Sequence, residues 1–123
     1  MGTPEQYAEM VIHAAQAATA RIHMAAPLKD FIIRLVIATR ETADTPLDGL
    51  VEHAVSPRGT LALAAAAKAR AALHGRDHAL PEDVEDLAPD ALSHRMVPSW
   101  RATADGITQR DIVARVLAHV RPW

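Results

Sequence analysis

The stretch from Ser56 to Gly75 constrains the fold most strongly, because it carries a helix with both ends marked. Ser56 suits the capping position, and Pro57 suits the first helical residue, where a missing N–H costs nothing. Alanine, the best helix former, fills much of the interior, including the run 64–67. Gly75 then ends the helix as a left-handed residue would. The sequence predicts a thin, closely packed central helix here.

Two further helices are predicted before this one. The first begins at Thr3, a suitable cap, and its apolar face recurs at helical spacing through Tyr7, Val11, Ala14, Ala18 and Ile22. The second follows Pro27 and runs from about Leu28 to Ala43. It is apolar around most of its circumference, so we expect it in the middle of the packing. Residues 44–49 contain proline and Asp-Gly and predict a loop.

The remaining elements follow Gly75, after which Arg76 and Asp77 are expected to form a loop ion pair. A helix opens at Pro81 with four acids in its first turns, which helix capping and the dipole explain, and Pro89 is expected to kink or split it. Residues 95–106 are predicted to be irregular, with a short strand at 95–97. The last helix opens at Thr108, where Asp111 completes a capping box. The predicted fold class is all-α, a compact bundle of about five helices.

Composition limits the class of protein. The chain has 123 residues, a formal net charge of −2 and no cysteine, which is the size of one domain. A slightly acidic chain lacks the clustered cations of electrostatic nucleic-acid binding. No apolar run reaches the roughly 18–20 residues of a membrane span, and the N-terminus shows no secretion signal. We therefore expect one cytoplasmic domain over residues 1–123, without nucleic-acid or membrane partners.

Arg58 is the residue that breaks a local rule. As the second residue of the predicted helix it lies at the positive end of the dipole, which is unfavourable by about 0.3–1 kcal/mol. A helix N-terminus with an added guanidinium is nevertheless a good site for an anion such as a phosphate. The alternative is a structural arginine that reaches back to Glu52 or Asp48.

Other signs of chemistry are few. No GxxxxGK[ST] loop occurs, so the chain has no phosphate cradle of its own. His74 and His78 are four residues apart, but Gly75 between them is expected to end the helix, so we predict no metal site. A helical enzyme using its histidines would need a convergent acid/base pair, for which the sequence gives no sign. The chain alone is therefore expected to be inactive.

A series of short motifs runs from Leu28 to His119. They are Phe31-Ile32-Ile33-Arg34-Leu35-Val36, Ala38-Thr39-Arg40, Ser56-Pro57-Arg58, Leu61-Ala62-Leu63, Ala66-Ala67-Lys68-Ala69, Gly75-Arg76-Asp77, Pro81-Glu82-Asp83-Val84 and His94-Arg95. In order and spacing they resemble the C-terminal lid of MoxR-type AAA+ ATPases, and Ser-Pro-Arg favours that branch over the related magnesium-chelatase lids. Two positions depart from the family pattern, since Ala54 replaces a usual glycine and Gly59 a usual alanine.

The resemblance implies a function. Arg58, supported by Ser56 and Pro57, would be the sensor 2 arginine that reaches the γ-phosphate of ATP, with ATP and Mg held mainly by a core that is absent from this chain. Ring assembly with neighbouring subunits, chaperone-like remodelling and partners with von Willebrand factor A domains are also implied. Thr39-Arg40 marks the family; no mechanism is assigned to it, and a structural contact is expected. The candidate residues for interfaces with the core or a neighbour are Arg40, His94 and Arg95, and a structural role is the favoured alternative for His94-Arg95.

A histone-fold-like module, pairing with a second helical subunit or with DNA, is the alternative. Histone folds share a Gly-Arg turn before a short helix that opens with acids, as at residues 75–84. The net charge weighs against DNA binding. On the lid interpretation, the surface that meets the core is apolar and exposed in this chain, so we expect self-association or binding of an unrelated partner through it.

Overall fold

The computed structural model describes residues 2–6, 9, 10 and 20–123, and it has the predicted helical-bundle class with one small sheet. The helices are α1 (Ala26–Arg40), α2 (Pro57–Leu73), α3 (Pro81–Leu92), α4 (Trp100–Ala104) and α5 (Gln109–His119), with a 3₁₀ turn at Ser93–Arg95. Strands β1 (Val51–His53) and β2 (Val97–Pro98) pair antiparallel. No helix among the described residues is long and apolar enough to cross a membrane.

Helix α2 has the predicted ends. Gly75 has a φ of 71°, and its N–H donates to the Ala72 carbonyl while the Arg76 N–H donates to Ala71, both at 3.0 Å. This pair of bonds is the Schellman arrangement that a left-handed glycine permits. Ser56 holds the capping position, but its side chain makes no capping hydrogen bond. The Gly59 N–H donates to the Ser56 carbonyl at 2.9 Å instead.

The turn from α2 to α3 is held by Asp83. Its carboxylate accepts from the Arg76 guanidinium at 2.6 and 2.7 Å, from Arg70 at 2.5 Å and from the Leu80 N–H at 2.7 Å. An ion pair of Arg76 with Asp77 is the simple sequence interpretation of this turn, and it is wrong. Asp77 bonds the ring of His78 instead. A fully buried carboxylate needs its charge compensated more than an exposed one does.

Helix α3 is continuous through Pro89, so of the two expected outcomes, a kink or a split, the split is wrong. Pro89 lies in its last turn, where the helix ends three residues later, so one missing N–H does not divide it. The segment after α3 also differs from the prediction. The strand lies at Val97–Pro98, and residues 100–104 form α4, which the Ser99 hydroxyl caps by accepting from the Ala102 N–H at 3.1 Å.

Helix α1 begins at Ala26, with Pro27 in its first turn, and ends at Arg40. One face is buried against α2 and α5. Ile33 and Ile37, however, remain 45% and 41% exposed. The expectation that packing surrounds this helix is therefore wrong, because its apolar circumference is wider than the surface the bundle covers.

The predicted first helix is described only in part. The Thr3 hydroxyl accepts from the Gln6 N–H at 3.2 Å, as a cap does, and residues 4–6, 9, 10 and 20 are helical. Ile22 is buried but lies beyond the helix, beside His23, whose backbone bonds Asp77 and Ala79. The other predicted apolar positions, Tyr7, Val11, Ala14 and Ala18, lie outside the described residues.

The last helix, α5, begins as predicted. The Thr108 hydroxyl accepts from the Asp111 N–H at 3.1 Å, and the Asp111 carboxylate accepts from the Thr108 N–H at 2.9 Å. This reciprocal capping box fixes the start of the helix. Ile112, Val113 and Val116 of α5 are buried in the core against α1 and α3.

Candidate functional site

Arg58 is exposed at the second position of α2. It forms a salt bridge with neither Glu52 nor Asp48, nor with any other acid among the described residues. The structural alternative, an arginine reaching back to a nearby acid, therefore lacks support. Because the guanidinium stands at the positive end of a 17-residue helix, this end of the molecule is suited to an anion from outside the chain.

Val55, three residues before Arg58, is fixed by α1. Its N–H donates to the Thr39 hydroxyl at 3.1 Å, and its carbonyl accepts from the Arg40 guanidinium at 3.2 Å. The Thr39 hydroxyl also donates to the Val36 carbonyl at 2.7 Å, so this buried hydroxyl both donates and accepts a hydrogen bond. Thr39-Arg40, which marks the family in the sequence, therefore contacts the residue that leads into Ser-Pro-Arg.

Gly59, one of the two departures from the family pattern, has a packing reason. A Cβ at this position would lie 2.1 Å from Cγ1 of Val55, far inside any allowed contact. Val55 is fully buried, so its side chain fills the space that the glycine leaves. The other departure, Ala54, is half-buried beside Val55.

The three interface candidates lie in different places. The side chain of Arg95 passes close to the start of α2, since its Cδ is 3.7 Å from where a Cβ of Gly59 would be. Arg40 contacts Val55 and so lies at the same end. His94 is exposed in the 3₁₀ turn. The structure thus brings two of these three side chains to the end of α2 that carries Arg58.

An apolar groove adjoins Arg58. It has a volume of about 460 Å³ between α1 and α2 and continues into a second hollow of about 240 Å³. Ile33, Thr60 and Leu61 line both. Pro57 and Arg40 close the end next to Arg58, and both lysines of the chain line the far end. Sequence reasoning anticipated an exposed apolar face without locating it, because which side of α1 stays uncovered depends on the packing of the bundle.

The described residues hold no group of three or more histidine, aspartate or glutamate side chains placed to bind a metal ion. His74 and His78 belong to different segments, since His74 caps the end of α2 and His78 follows Gly75. The ring of His78 bonds Asp77 at 2.9 Å.

Comparison with known proteins gives a family match for most of the chain. The model of the AAA lid domain family matches residues 44–116, which contain Arg58 and the Arg76–Asp83 turn. Chaperone MoxR1 of Mycobacterium tuberculosis is 38% identical over 96 residues, covering 76% of this chain and 26% of that protein. Protein MoxR of Methylorubrum extorquens is 44% identical over 50 residues, 41% of this chain and 15% of that protein.

A solved structure is also similar to this chain in fold and in sequence. A protein of Cytophaga hutchinsonii assigned as an ATPase superposes with a TM-score of 0.80 and 33% identity, over 85% of this chain and 33% of that one. The chain thus spans about a quarter to a third of the length of the Mycobacterium protein and of this one. The family match favours the lid over the histone-fold alternative.

Proposed function

Since this chain belongs to the AAA lid domain family, with MoxR proteins among its relatives, we propose that residues 1–123 form one lid domain that works with an ATPase core located outside this chain. The share of each relative that the chain covers supports this proposal, because about two thirds or more of those proteins has no counterpart here. The core would hold ATP and Mg, and the lid alone is inactive.

Arg58 is the sensor 2 residue of this lid. Three observations support the role: the guanidinium is exposed, it has no salt bridge with a described acid, and it stands at a helix N-terminus. The exposed cation at the start of α2 is the observation that carries the proposal. Ser56 and Pro57 support the role because the helix begins at Pro57, which makes Arg58 its second residue.

A contact between Arg58 and the nucleotide makes the lid responsive to whether ATP or ADP is bound. Arg58 reaches the γ-phosphate of ATP and loses that contact after hydrolysis, so the angle between lid and core differs between the two states. The apolar groove beside Arg58 is suited to docking against the core or a neighbouring ring subunit. The joined protein is further proposed to assemble into a ring and to act as a chaperone-like remodeller. Its proposed partners are proteins with von Willebrand factor A domains.

The test is steady-state ATP hydrolysis by this lid joined to its core, with Arg58 and with Arg58→Ala. We expect kcat to fall at least severalfold while ATP still binds, because the arginine acts more on the charge that develops during hydrolysis than on ground-state binding. Arg58→Lys keeps the charge but loses the planar donor fork, and it is expected to recover only part of the rate.

Arg115→Ala is the matched control, since Arg115 is also an exposed helical arginine but lies on α5. It is expected to leave kcat unchanged. If Arg58→Ala changes neither hydrolysis nor ATP affinity, Arg58 is a structural residue of the helix start and the sensor role is rejected.

A further inference from the structure

We propose that Thr39 and Arg40 are positioning residues for Arg58, acting through the backbone of Val55; this inference rests on the sensor role proposed above. Both residues lie at the C-terminal end of α1, and each forms a hydrogen bond with the backbone of Val55. Val55 is the residue that leads into Ser56-Pro57-Arg58.

Val55 is held on three sides. Thr39 accepts its N–H at 3.1 Å, and Arg40 donates to its carbonyl at 3.2 Å. Its side chain is fully buried in the space left by Gly59, where a Cβ would come within 2.1 Å of Cγ1. Rotation of the Val55 backbone therefore breaks a hydrogen bond or a packing contact, whichever way it turns.

The connection from Val55 to Arg58 is short and stiff. Only Ser56 and Pro57 intervene, and the ring of Pro57 fixes its φ. Gly59 is itself tied back to Ser56 through its N–H at 2.9 Å. The direction in which Arg58 leaves the helix is consequently set by the orientation of Val55.

Helix α2 lacks the side-chain cap that commonly stabilises a helix N-terminus. The Ser56 side chain makes no capping hydrogen bond, so α2 does not fix its own first turn in the way that α4 and α5 do with Ser99 and Thr108. Instead, the hydrogen bonds from Thr39 and Arg40 of α1 hold Val55, which lies just before the start of α2. This arrangement makes the orientation of the sensor arginine depend on where α1 sits.

The variants follow from these contacts. Thr39→Val has the same shape and removes the acceptor of the Val55 N–H, while Thr39→Ser keeps it. Arg40→Gln replaces the guanidinium that donates to the Val55 carbonyl with a shorter, neutral amide, so the charged donor at that distance is lost. Folding is expected to tolerate this change because Arg40 is exposed. Arg34→Gln is the matched control, since Arg34 is the other arginine of α1 and also donates to backbone carbonyls, those of Arg121 and Pro122.

The test measures kcat and ATP affinity of the lid joined to its core, together with hydrogen exchange at the Val55 amide. Thr39→Val and Arg40→Gln are expected to lower kcat severalfold with ATP affinity nearly unchanged, and Thr39→Ser and Arg34→Gln to leave kcat as it is. Val55 exchange becomes faster in Thr39→Val. In an Arg58→Ala background the same two substitutions add no further loss, because the group they position is gone.

The outcomes separate the two proposals. If Arg58→Ala slows hydrolysis but Arg40→Gln and Thr39→Val do not, the positioning role is overturned and the sensor role stands. If the substitutions slow hydrolysis equally with and without Arg58, they act elsewhere and the positioning role is again overturned. If Arg58→Ala has no effect, both proposals fall. Should Thr39→Val not fold, Arg40→Gln decides the matter alone.

Discussion

The Asp83 carboxylate is fully buried, and two guanidinium groups and a backbone N–H surround it. Burial by itself raises the pKa of this carboxyl. The hydrogen bonds from Arg76, the Leu80 N–H and Arg70 together outweigh burial and hold the pKa far below its usual range. Asp83 therefore stabilises the turn between α2 and α3 in its charged form.

Asp83→Asn is expected to lower the free energy of unfolding by about 3 kcal/mol at neutral pH, since removing one partner of a buried ion pair leaves the other charges uncompensated. Asp86→Asn is the matched control. Asp86 pairs with the same Arg70 but is more than half exposed, so its loss costs less than about 1 kcal/mol. Urea unfolding of both variants measures the difference, and equal losses contradict the assignment.

The lowered pKa of Asp83 also predicts how stability depends on pH. Because the folded state binds the proton less readily than the unfolded chain, this contribution is fully present above the unfolded pKa of about 4. It is lost as the pH falls from there towards the folded pKa. Unfolding free energies measured from pH 6 down to pH 2 are expected to fall less steeply in Asp83→Asn; parallel curves contradict the shift.

The arginine partners of Asp83 could not be predicted from the sequence. Its place in the first turn of α3 is evident from the sequence, and helix capping accounts for its bond to the Leu80 N–H. The pairing with Arg76 is not evident, because an adjacent acid, Asp77, competes for the same assignment. Burial of one acid and exposure of the other decides between them, and burial depends on the packed fold.

At the scale of elements, the start of α2 depends on a glycine for packing more than for flexibility. Gly59→Ala adds about 1 kcal/mol of helix propensity. The new methyl group meets Cγ1 of the buried Val55, a stiff β-branched side chain. We expect a net destabilisation of about 1–3 kcal/mol, typical of an overpacked core.

A second substitution identifies the cause. In a Val55→Ala background the opposing methyl group is absent, so Gly59→Ala is expected to become neutral or stabilising there. Thermal or urea unfolding of the two single variants and the double variant gives this coupling. If Gly59→Ala stabilises the otherwise unchanged chain, the close contact with Val55 is not a constraint.

Most elements with local signals were predictable, and elements made by distant contacts were not. Helix α4 is an exception, since residues 100–104 were expected to be irregular although Ser99 caps them locally. The Ser-Pro start and the Gly75 stop define α2 from the sequence alone. Strand β1 escaped prediction because three residues carry little pattern and its partner is about 45 residues away in sequence. The same applies to the site: Arg58 is visible from its helix position, whereas the bonds of Thr39 and Arg40 to Val55 exist only once α1 and α2 pack.

For the whole molecule, the main consequence is an uncovered apolar groove. Ile33 and Ile37 of α1 and Leu61 of α2 are all exposed, Leu61 by 72%. They line one hollow that ends at Arg40 and Pro57. Water contact with this surface is unfavourable at about 25 cal/mol per Å², so the isolated chain gains by covering it.

The isolated chain is therefore expected to self-associate through the groove as its concentration rises. Analytical ultracentrifugation is expected to give a weight-average mass above the 13.3 kDa of the monomer. Leu61→Gln shifts this equilibrium towards monomer, because it places an amide at the centre of the groove. Leu73→Gln is the control: Leu73 is also an exposed leucine of α2, at 88%, but lies at the opposite end of the helix. A strict monomer at high concentration, or an equal effect of the two substitutions, contradicts the groove as the contact surface.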